Sequence, residues 1–204
     1  FASEQSGFWI SSSLKEAHKQ LRPDLKKAWR WWRLPMPPER TQTLADLILE
    51  NPIDVPWHTA TETARLVSMM SRVNLAKVAE KKRTGQKAIG TIYKRTRPDE
   101  SGNKVQRAEV RFDGIAGCLR TPGGGSSRQT IIVVEGKKVR TRLLSAREAA
   151  RLMGLDDTFD LPAKYNDAYH VVGDGLAVPV VRFLTENLLH PLVETRFSSL
   201  IAAE

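Results

Sequence analysis

Cysteine is almost absent from this chain: Cys118 is the single example in 204 residues. One thiol cannot close an internal disulfide framework or furnish a cysteine-rich zinc site, so a reducing, cytoplasmic compartment is expected. Histidine is sparse too. His18 and His58 have no second histidine or cysteine at ligand spacing, so no metal site is read. No apolar run approaches the roughly 20 residues that cross a bilayer, and Phe1-Ala-Ser-Glu4 has none of the marks of a signal peptide. A soluble protein with no membrane partner is expected. There is no initiator methionine either, which suggests a fragment, a processed product or part of a longer chain.

The chain is 41% hydrophobic, enough for one substantial core or two small ones. Its net charge is +9, and the location of that charge is informative. Between Lys81 and Arg142 there are 16 Lys or Arg against 5 Asp or Glu, an excess of eleven, which leaves −2 for the rest. A basic middle between near-neutral ends is the footprint of a polyanion partner. A solvated basic surface is the competing explanation.

Helical spacing marks the first 80 residues. Leu14, Ala17, Leu21, Leu25, Ala28, Trp29 and Trp32 recur every three or four positions, interrupted at Pro23. Trp29, Trp31 and Trp32 could stack on bases, but aromatics at this spacing more often belong to a core, and core is the expectation. A short helix follows from Leu44 to Leu49. Thr59 and Glu62 form a capping box for a helix over 60–81, with Ala64, Val67, Met70, Val73, Leu75 and Val78 on one face.

Composition shifts at Lys81. Residues 87–95, 105–112, 129–134 and 137–143 read as short strands, β-branched and bounded by Gly, Pro and Asp. Two connecting segments carry the side chains best suited to nucleic acid: Tyr93-Lys-Arg-Thr-Arg97 and Leu119-Arg-Thr-Pro-Gly-Gly-Gly-Ser-Ser-Arg-Gln-Thr130. Arg95, Arg97, Arg120, Thr121, Arg128 and Gln129 are the candidate DNA contacts. Arg and Gln can pair bidentately with guanine and adenine edges, each contributing about 1–3 kcal/mol of discrimination. The three glycines alone fit a plain flexible hairpin loop equally well.

The clearest stretch comes last. Ser145 and Glu148 make a second capping box, opening a helix that turns Ala149, Leu152 and Met153 inward and leaves Arg147 and Arg151 on another face to tie it to the preceding loops. A helix-turn-helix fails here, because its recognition helix would read Asp156-Asp-Thr-Phe-Asp-Leu-Pro162, and phosphates repel three carboxylates. A final helix is expected from Gly173 or Asp174 to about Leu189, with Val180, Leu184 and Leu188 as its apolar stripe.

Arg142-Leu-Leu-Ser-Ala-Arg-Glu-Ala-Ala-Arg-Leu-Met-Gly-Leu-Asp-Asp-Thr-Phe159 resembles the ninth motif of the DNA cytosine-5 methyltransferases. That motif usually runs Arg-x-Leu-Thr-x-Arg-Glu-x-Ala-Arg-Leu-Gln-Gly-Phe-Pro-Asp-x-Phe. Tyr169 through Gly173-Asp-Gly-Leu-Ala-Val-Pro-Val-Val181 resembles the tenth, with Asp174 in place of the family's Asn. The resemblance covers about 45 residues closely. It implies an α+β chain: a small-strand target recognition domain flanked by amphipathic helices, forming the C-terminal part of an α/β methyltransferase. Its parts would be a helical segment at 1–80, a basic recognition region at 81–142 and return helices at 143–204 that pack on a catalytic domain.

In such enzymes a Pro-Cys thiolate adds to a flipped cytosine, which then takes a methyl group from S-adenosylmethionine. The Pro-Cys, Phe-x-Gly-x-Gly, Glu-Asn-Val and Gln-x-Arg-x-Arg motifs do not occur in this sequence. Cys118, in Gly-Cys-Leu, reads as a small packed residue. No catalytic residue is therefore assigned. The resemblance implies Arg142, Arg147, Glu148 and Arg151 as motif residues and Asp174, Gly175 and Leu176 as the cofactor side. It also implies double-stranded DNA and a separate catalytic half as partners, in a nucleoid-associated bacterial or phage setting. The chain alone would be inactive, and its apolar stripe exposed or self-associated. A non-catalytic DNA-binding or specificity subunit is the alternative.

Overall fold

The computed structural model describes residues 8–98, 101–119, 121 and 128–194, and only the backbone of Arg97. The expectations for Arg120 and for Gly123 to Ser127 lie outside the described residues. Compact packing divides the chain into Arg40–Pro179 and a second unit formed by Phe1–Glu39 with Val180–Glu204.

The larger unit is built around β3, Thr130–Glu135, whose first five residues are all buried. Thr-Ile-Ile-Val-Val has no apolar-polar alternation, as befits a strand covered on both faces. It sits in a four-stranded antiparallel sheet of order β2-β1-β3-β4, with β1 at Ala88–Pro98, β2 at Lys104–Arg111 and β4 at Lys138–Leu143. On one face Ile92, Ala108, Val110, Ile132 and Val134 meet Met70 and Val78. On the other, Ile131 and Val133 meet Ala149, Ala150, Tyr169 and Val172. Each such side chain, fully buried, contributes roughly 1.5–3 kcal/mol for a Val, Leu or Ile. The first face is covered from α4 (Ala60–Ser68) and α5 (Arg72–Thr84), the second from α6 (Ala146–Leu152) and α7 (Tyr165–Asp174). The composition shift at Lys81 is thus no packing boundary.

All four expected strands are present within three residues of their expected ends. The helices differ more. The single helix expected over 60–81 is two, because the chain breaks at Met69 to Ser71: the Met69 carbonyl accepts from the Ala108 amide at 3.0 Å, and Ser71 caps α5 by accepting from the Asn74 amide. Pro23 starts α2 (Pro23–Ala28) as its first residue, separate from α1 (Ser12–Lys19). Leu44–Leu47 is the short α3.

The expected last helix also needs correction. Asp174 ends α7, Gly175 caps it, and α8 starts only at Val178, running to Leu184 before a π-helical turn at Thr185–Leu189. Tyr165–Glu194 is apolar and long enough by composition to cross a membrane, as core helices of soluble proteins also are. The break after Asp174 interrupts it, and its first half buries Ala168, Tyr169 and Val172 beside the sheet.

The smaller unit has a different character. Trp9 donates to the Pro35 carbonyl at 2.9 Å and lies 5.7 Å from the Phe183 ring. Among its described residues, none is buried. Trp29 and Trp32 are 37% and 39% exposed, so the core expected for them is not formed here. His18, Trp29 and Trp31 instead cluster near the surface, Trp29 edge-on to the other two rings. Val180, Val181 and Leu184 are exposed and Leu188 is half-buried.

Candidate nucleic-acid interface

Strand β1 is longer than its inner partner needs. Its residues Ala88 to Ile92 pair with β3, but beyond Ile92 it pairs with β2 alone, from Tyr93↔Glu109 to Pro98↔Lys104. A two-stranded ribbon therefore extends past the sheet. Lys94, Arg95, Thr96, Lys104 and Gln106 on it are exposed, and Arg107 is half-buried. Arg95 and Arg107 stand directly opposite each other in register, and Glu109 reaches Arg95 Nε at 3.4 Å.

Strand β3 enters the sheet at the same end, since Thr130 pairs with Ile92. That brings Arg128 and Gln129 to the base of the ribbon. Gln129 was expected to read a base edge. It is instead 3% exposed, its Oε1 accepts from the Gly117 amide at 3.3 Å, and its Nε2 donates to the Cys118 carbonyl at 3.4 Å. Its amide holds the incoming chain at 117–118, leaving no group turned to solvent. A Cβ on Gly117 would lie 2.1 Å from the Tyr93 ring, so any other residue there requires that ring to move. Cys118 is exposed, contrary to the packed position expected.

Arg128 is also engaged within the chain. It donates to Asn166 Oδ1 and its guanidinium lies 5.2 Å from the Tyr165 ring centre. Tyr165 in turn donates to the Leu144 carbonyl at 2.8 Å, and burial pushes its phenol well above the ordinary tyrosine range. Thr121 is half-buried, and Arg97 contributes its backbone to the ribbon opposite Val105. Arg95 is thus the one candidate contact whose described side chain is well exposed at this end of the sheet.

Behind this surface lies a fully buried hub. Arg142 and Glu148, both 0% exposed, form a two-pronged ion pair: Arg142 Nη1 donates to Oε2 at 2.8 Å and Nη2 to Oε1 at 2.6 Å. Arg142 also donates to the carbonyls of Leu49 and Leu143. Glu148 accepts from the Leu49 amide at 2.7 Å and the Ser145 amide at 2.8 Å, the second bond completing the expected capping box. Nearly every charge-bearing atom of the pair is answered, which buried charges require. Trp57 lies against it, with the guanidinium carbons of Arg140 and Arg142 at 4.3 and 5.0 Å from its ring centre.

Arg147 and Arg151 point mainly the other way from expectation, to the segment after α6. Arg147 donates to the carbonyls of Asp156 and Phe159, and Arg151 grips the Asp157 carboxylate at 2.7 and 2.5 Å. One longer bond, at 3.4 Å, runs to the Leu47 carbonyl at the end of α3 and not to the loops expected. Hydrogen bonding to Arg151 holds the Asp157 carboxyl below the usual carboxylate range, and the amide and hydroxyl of Thr158 do the same for Asp156. Of the carboxylates that argued against a recognition helix, Asp157 is therefore the partner of Arg151, and Asp156 is held by Thr158.

The residues matching the ninth and tenth motifs meet in space. Met153 accepts from the Val178 amide at 2.8 Å, and Gly154 faces the Pro179 ring. A C-5 cytosine-specific DNA methylase family model matches residues 10–190. The chain belongs to that family. Among its relatives are Type II methyltransferase M1.ScrFI of Lactococcus lactis subsp. cremoris, 34% identical over 65 residues, and M.NlaIV of Neisseria lactamica, 41% identical over 64. These alignments take in 32% and 30% of this chain and 17% and 14% of the relatives. M.HpaII of Haemophilus parainfluenzae is 28% identical over 118 residues, 51% of this chain and 33% of that methylase. The chain thus matches a third or less of the length of these Type II methyltransferases.

Sequence reasoning missed three contributors to the family motif's surroundings. Asp54 accepts from the Ala146 amide at 2.8 Å, Leu49 joins the Arg142 hub through its backbone, and Trp57 covers it. All three lie more than 80 positions from their partners, where no local pattern announces them. Asp174, Gly175 and Leu176 are exposed at the end of α7. A cleft of about 320 Å³ beside α6 is lined by Leu49, Asp54, Arg147, Leu161 and Tyr165, among others, and by none of those three. Asp174 to Leu176 therefore enclose no cleft among the described residues.

Proposed function

We propose that this chain provides DNA target recognition and the C-terminal part of the cofactor side in a DNA cytosine-5 methyltransferase, the catalytic cysteine being supplied from outside the sequence described. The whole enzyme would transfer a methyl group from S-adenosylmethionine to a flipped cytosine. Arg95, Arg97, Arg120, Thr121 and Arg128 are the proposed DNA contacts, with Gln129 as the clamp beneath them. Arg142, Arg147, Glu148 and Arg151 fix the return path, and Asp174, Gly175 and Leu176 border the cofactor.

One observation carries the need for a catalytic partner. The unit containing Val180 to Glu194 has no buried residue among those described, yet Val180, Val181, Leu184, Leu189, Leu192 and Val193 are all exposed there. Large contiguous apolar surfaces mark association sites. A DNA-binding protein that acts alone has no need of such a surface, so the methyltransferase reading is preferred to a free-standing binder.

The test is direct. The isolated chain should bind duplex DNA with steep salt dependence and transfer no methyl group, and activity should appear on adding a family catalytic half carrying the Pro-Cys and glycine-rich motifs. Methylation by the chain alone overturns the assignment.

A further inference from the structure

The strand ribbon beyond Ile92 holds an arrangement that folding alone does not favour. Arg95 and Arg107 face each other across β1 and β2. Like charges directly opposite in an antiparallel pair are destabilising. Glu109 reaches Arg95 at 3.4 Å, but both of these side chains are substantially exposed, at 52% and 37%, so the offset it supplies is small. Lys94 and Lys104 add positive charge to the same ribbon, and its described residues from 93 to 98 and 104 to 109 include one acid, Glu109.

A two-stranded ribbon is the right width for the major groove of B-DNA. Among the described residues no third strand pairs with it beyond Ile92, and its β2 edge is met from outside the sheet only at Ala108, by the Met69–Met70 segment. The end of the sheet from which it projects is also the end where β3 and the segment at 117–119 arrive. The opposite end carries the β3–β4 turn with Lys137 and Lys138, both exposed.

We propose that the β1–β2 ribbon is itself a duplex-DNA contact, entering a groove with Arg95 and Arg107 as a facing pair of phosphate-binding cations; Arg107 is the added contact. The mutual repulsion of the pair is relieved when phosphates approach it. This rests on the reading that the chain recognises DNA. The partner class is double-stranded nucleic acid recognised through its backbone, and the ribbon supplies affinity and orientation rather than base identity.

The experiment compares the full 204-residue chain with R95Q/R107Q and with an equal charge change at the other end of the sheet, K137Q/K138Q. Binding to a duplex of arbitrary sequence is measured across a salt series, with thermal melting alongside. The ribbon variant should bind on the order of tenfold more weakly and lose about two from the slope of log affinity against log salt, roughly 0.9 per phosphate contact. Its melting temperature should stay level or rise, because a like-charge pair has gone. K137Q/K138Q should retain most of the affinity.

Equal weakening in the two variants would mean that only net charge matters and overturns the ribbon assignment. So does unchanged binding in R95Q/R107Q, or weakening that comes with a lower melting temperature, which would give the arginines a structural role. In each of those cases DNA recognition by the chain stands. If the parent chain binds no duplex, that reading falls and the ribbon proposal falls with it.

Discussion

The Pro179 ring occupies the space that a side chain on Gly154 would need: a Cβ there would lie 2.5 Å from Pro179 Cδ. Gly154 also has a φ of +77°, in the left-handed region. Its amide and that of Leu155 close α6 by bonding back to Arg151 and Ala150, a double C-terminal cap that favours glycine. The glycine of the stretch resembling the ninth motif and the proline of the stretch resembling the tenth are thus two sides of one contact.

Gly154→Val should therefore lower stability by about 1–3 kcal/mol, combining backbone strain with overpacking. Adding Pro179→Ala should recover only part of the loss, because it removes the clash and leaves φ unchanged. Urea unfolding of the single and double variants measures both contributions.

Arg142→Ala or Glu148→Ala should each cost about 3–5 kcal/mol, since either leaves one uncompensated charge in a site that water does not reach. The double replacement R142M/E148L should cost much less than the two losses added together. Equilibrium unfolding in a double-mutant cycle gives the coupling, and additive losses would show that the pair does not act as a unit.

The strands were readable because their signal is local: β-branched runs bounded by turn residues place β1 to β4 within three positions of their ends. The second capping box was readable for the same reason. The break at Met69 to Ser71 depends on a bond to Ala108 in another strand, and the burial of Gln129 depends on a chain segment eleven residues away that folds back on it. A glutamine beside an arginine in a glycine-rich segment looks like a reader of bases in sequence; only the fold shows its amide satisfied from within. The exposed tryptophans are the reverse case, where helical spacing suggested a core that the described residues of that unit do not build.

Gln129→Ala should free the Gly117 amide and the Cys118 carbonyl from their partner. Both bonds are long, at 3.3 and 3.4 Å, so the expected stability loss is at the low end for hydrogen bonds, about 0.5–1.5 kcal/mol. Faster hydrogen exchange at Gly117 relative to the β3 amides would register the loosened segment.

Acid should weaken the fold through His58 before it reaches the carboxylates. Burial lowers the His58 pKa, with the Glu62 carboxylate opposing and Lys94 reinforcing that shift. The unfolded chain then binds the proton more readily than the folded one, so stability is full above the ordinary histidine value of about 6.5 and declines as pH falls below it. His58 Nδ1 lies 2.9 Å from Thr141 Oγ1, and His58→Gln should flatten the decline in melting temperature between pH 7 and 5. A second decline at lower pH, where Asp157 and Asp113 lose their arginine partners, should remain in that variant.

Replacing Val180 and Leu189, which are 57% and 51% exposed, with Glu should reduce self-association of the chain and weaken its capture of a catalytic half, without lowering the melting temperature. Sedimentation velocity and a pull-down of the two parts read these effects. Unchanged assembly in both would show that this apolar surface is not where partners meet.

The Arg142 hub also bears on how the molecule reaches its folded state. Arg142 grips the carbonyl of Leu49, a residue 93 positions earlier, and the Leu49 amide is held by Glu148 from 99 positions away. Closing chain segments of that length costs entropy before any bond rewards it. The β3–β4 hairpin and the α6 capping box can form from neighbouring residues, whereas the ion pair gains its remaining partners only once the segment around Leu49 has come in. Refolding should therefore show strand formation ahead of the docking of Trp57 against its two arginines, with the buried charges acting as the final lock on the topology.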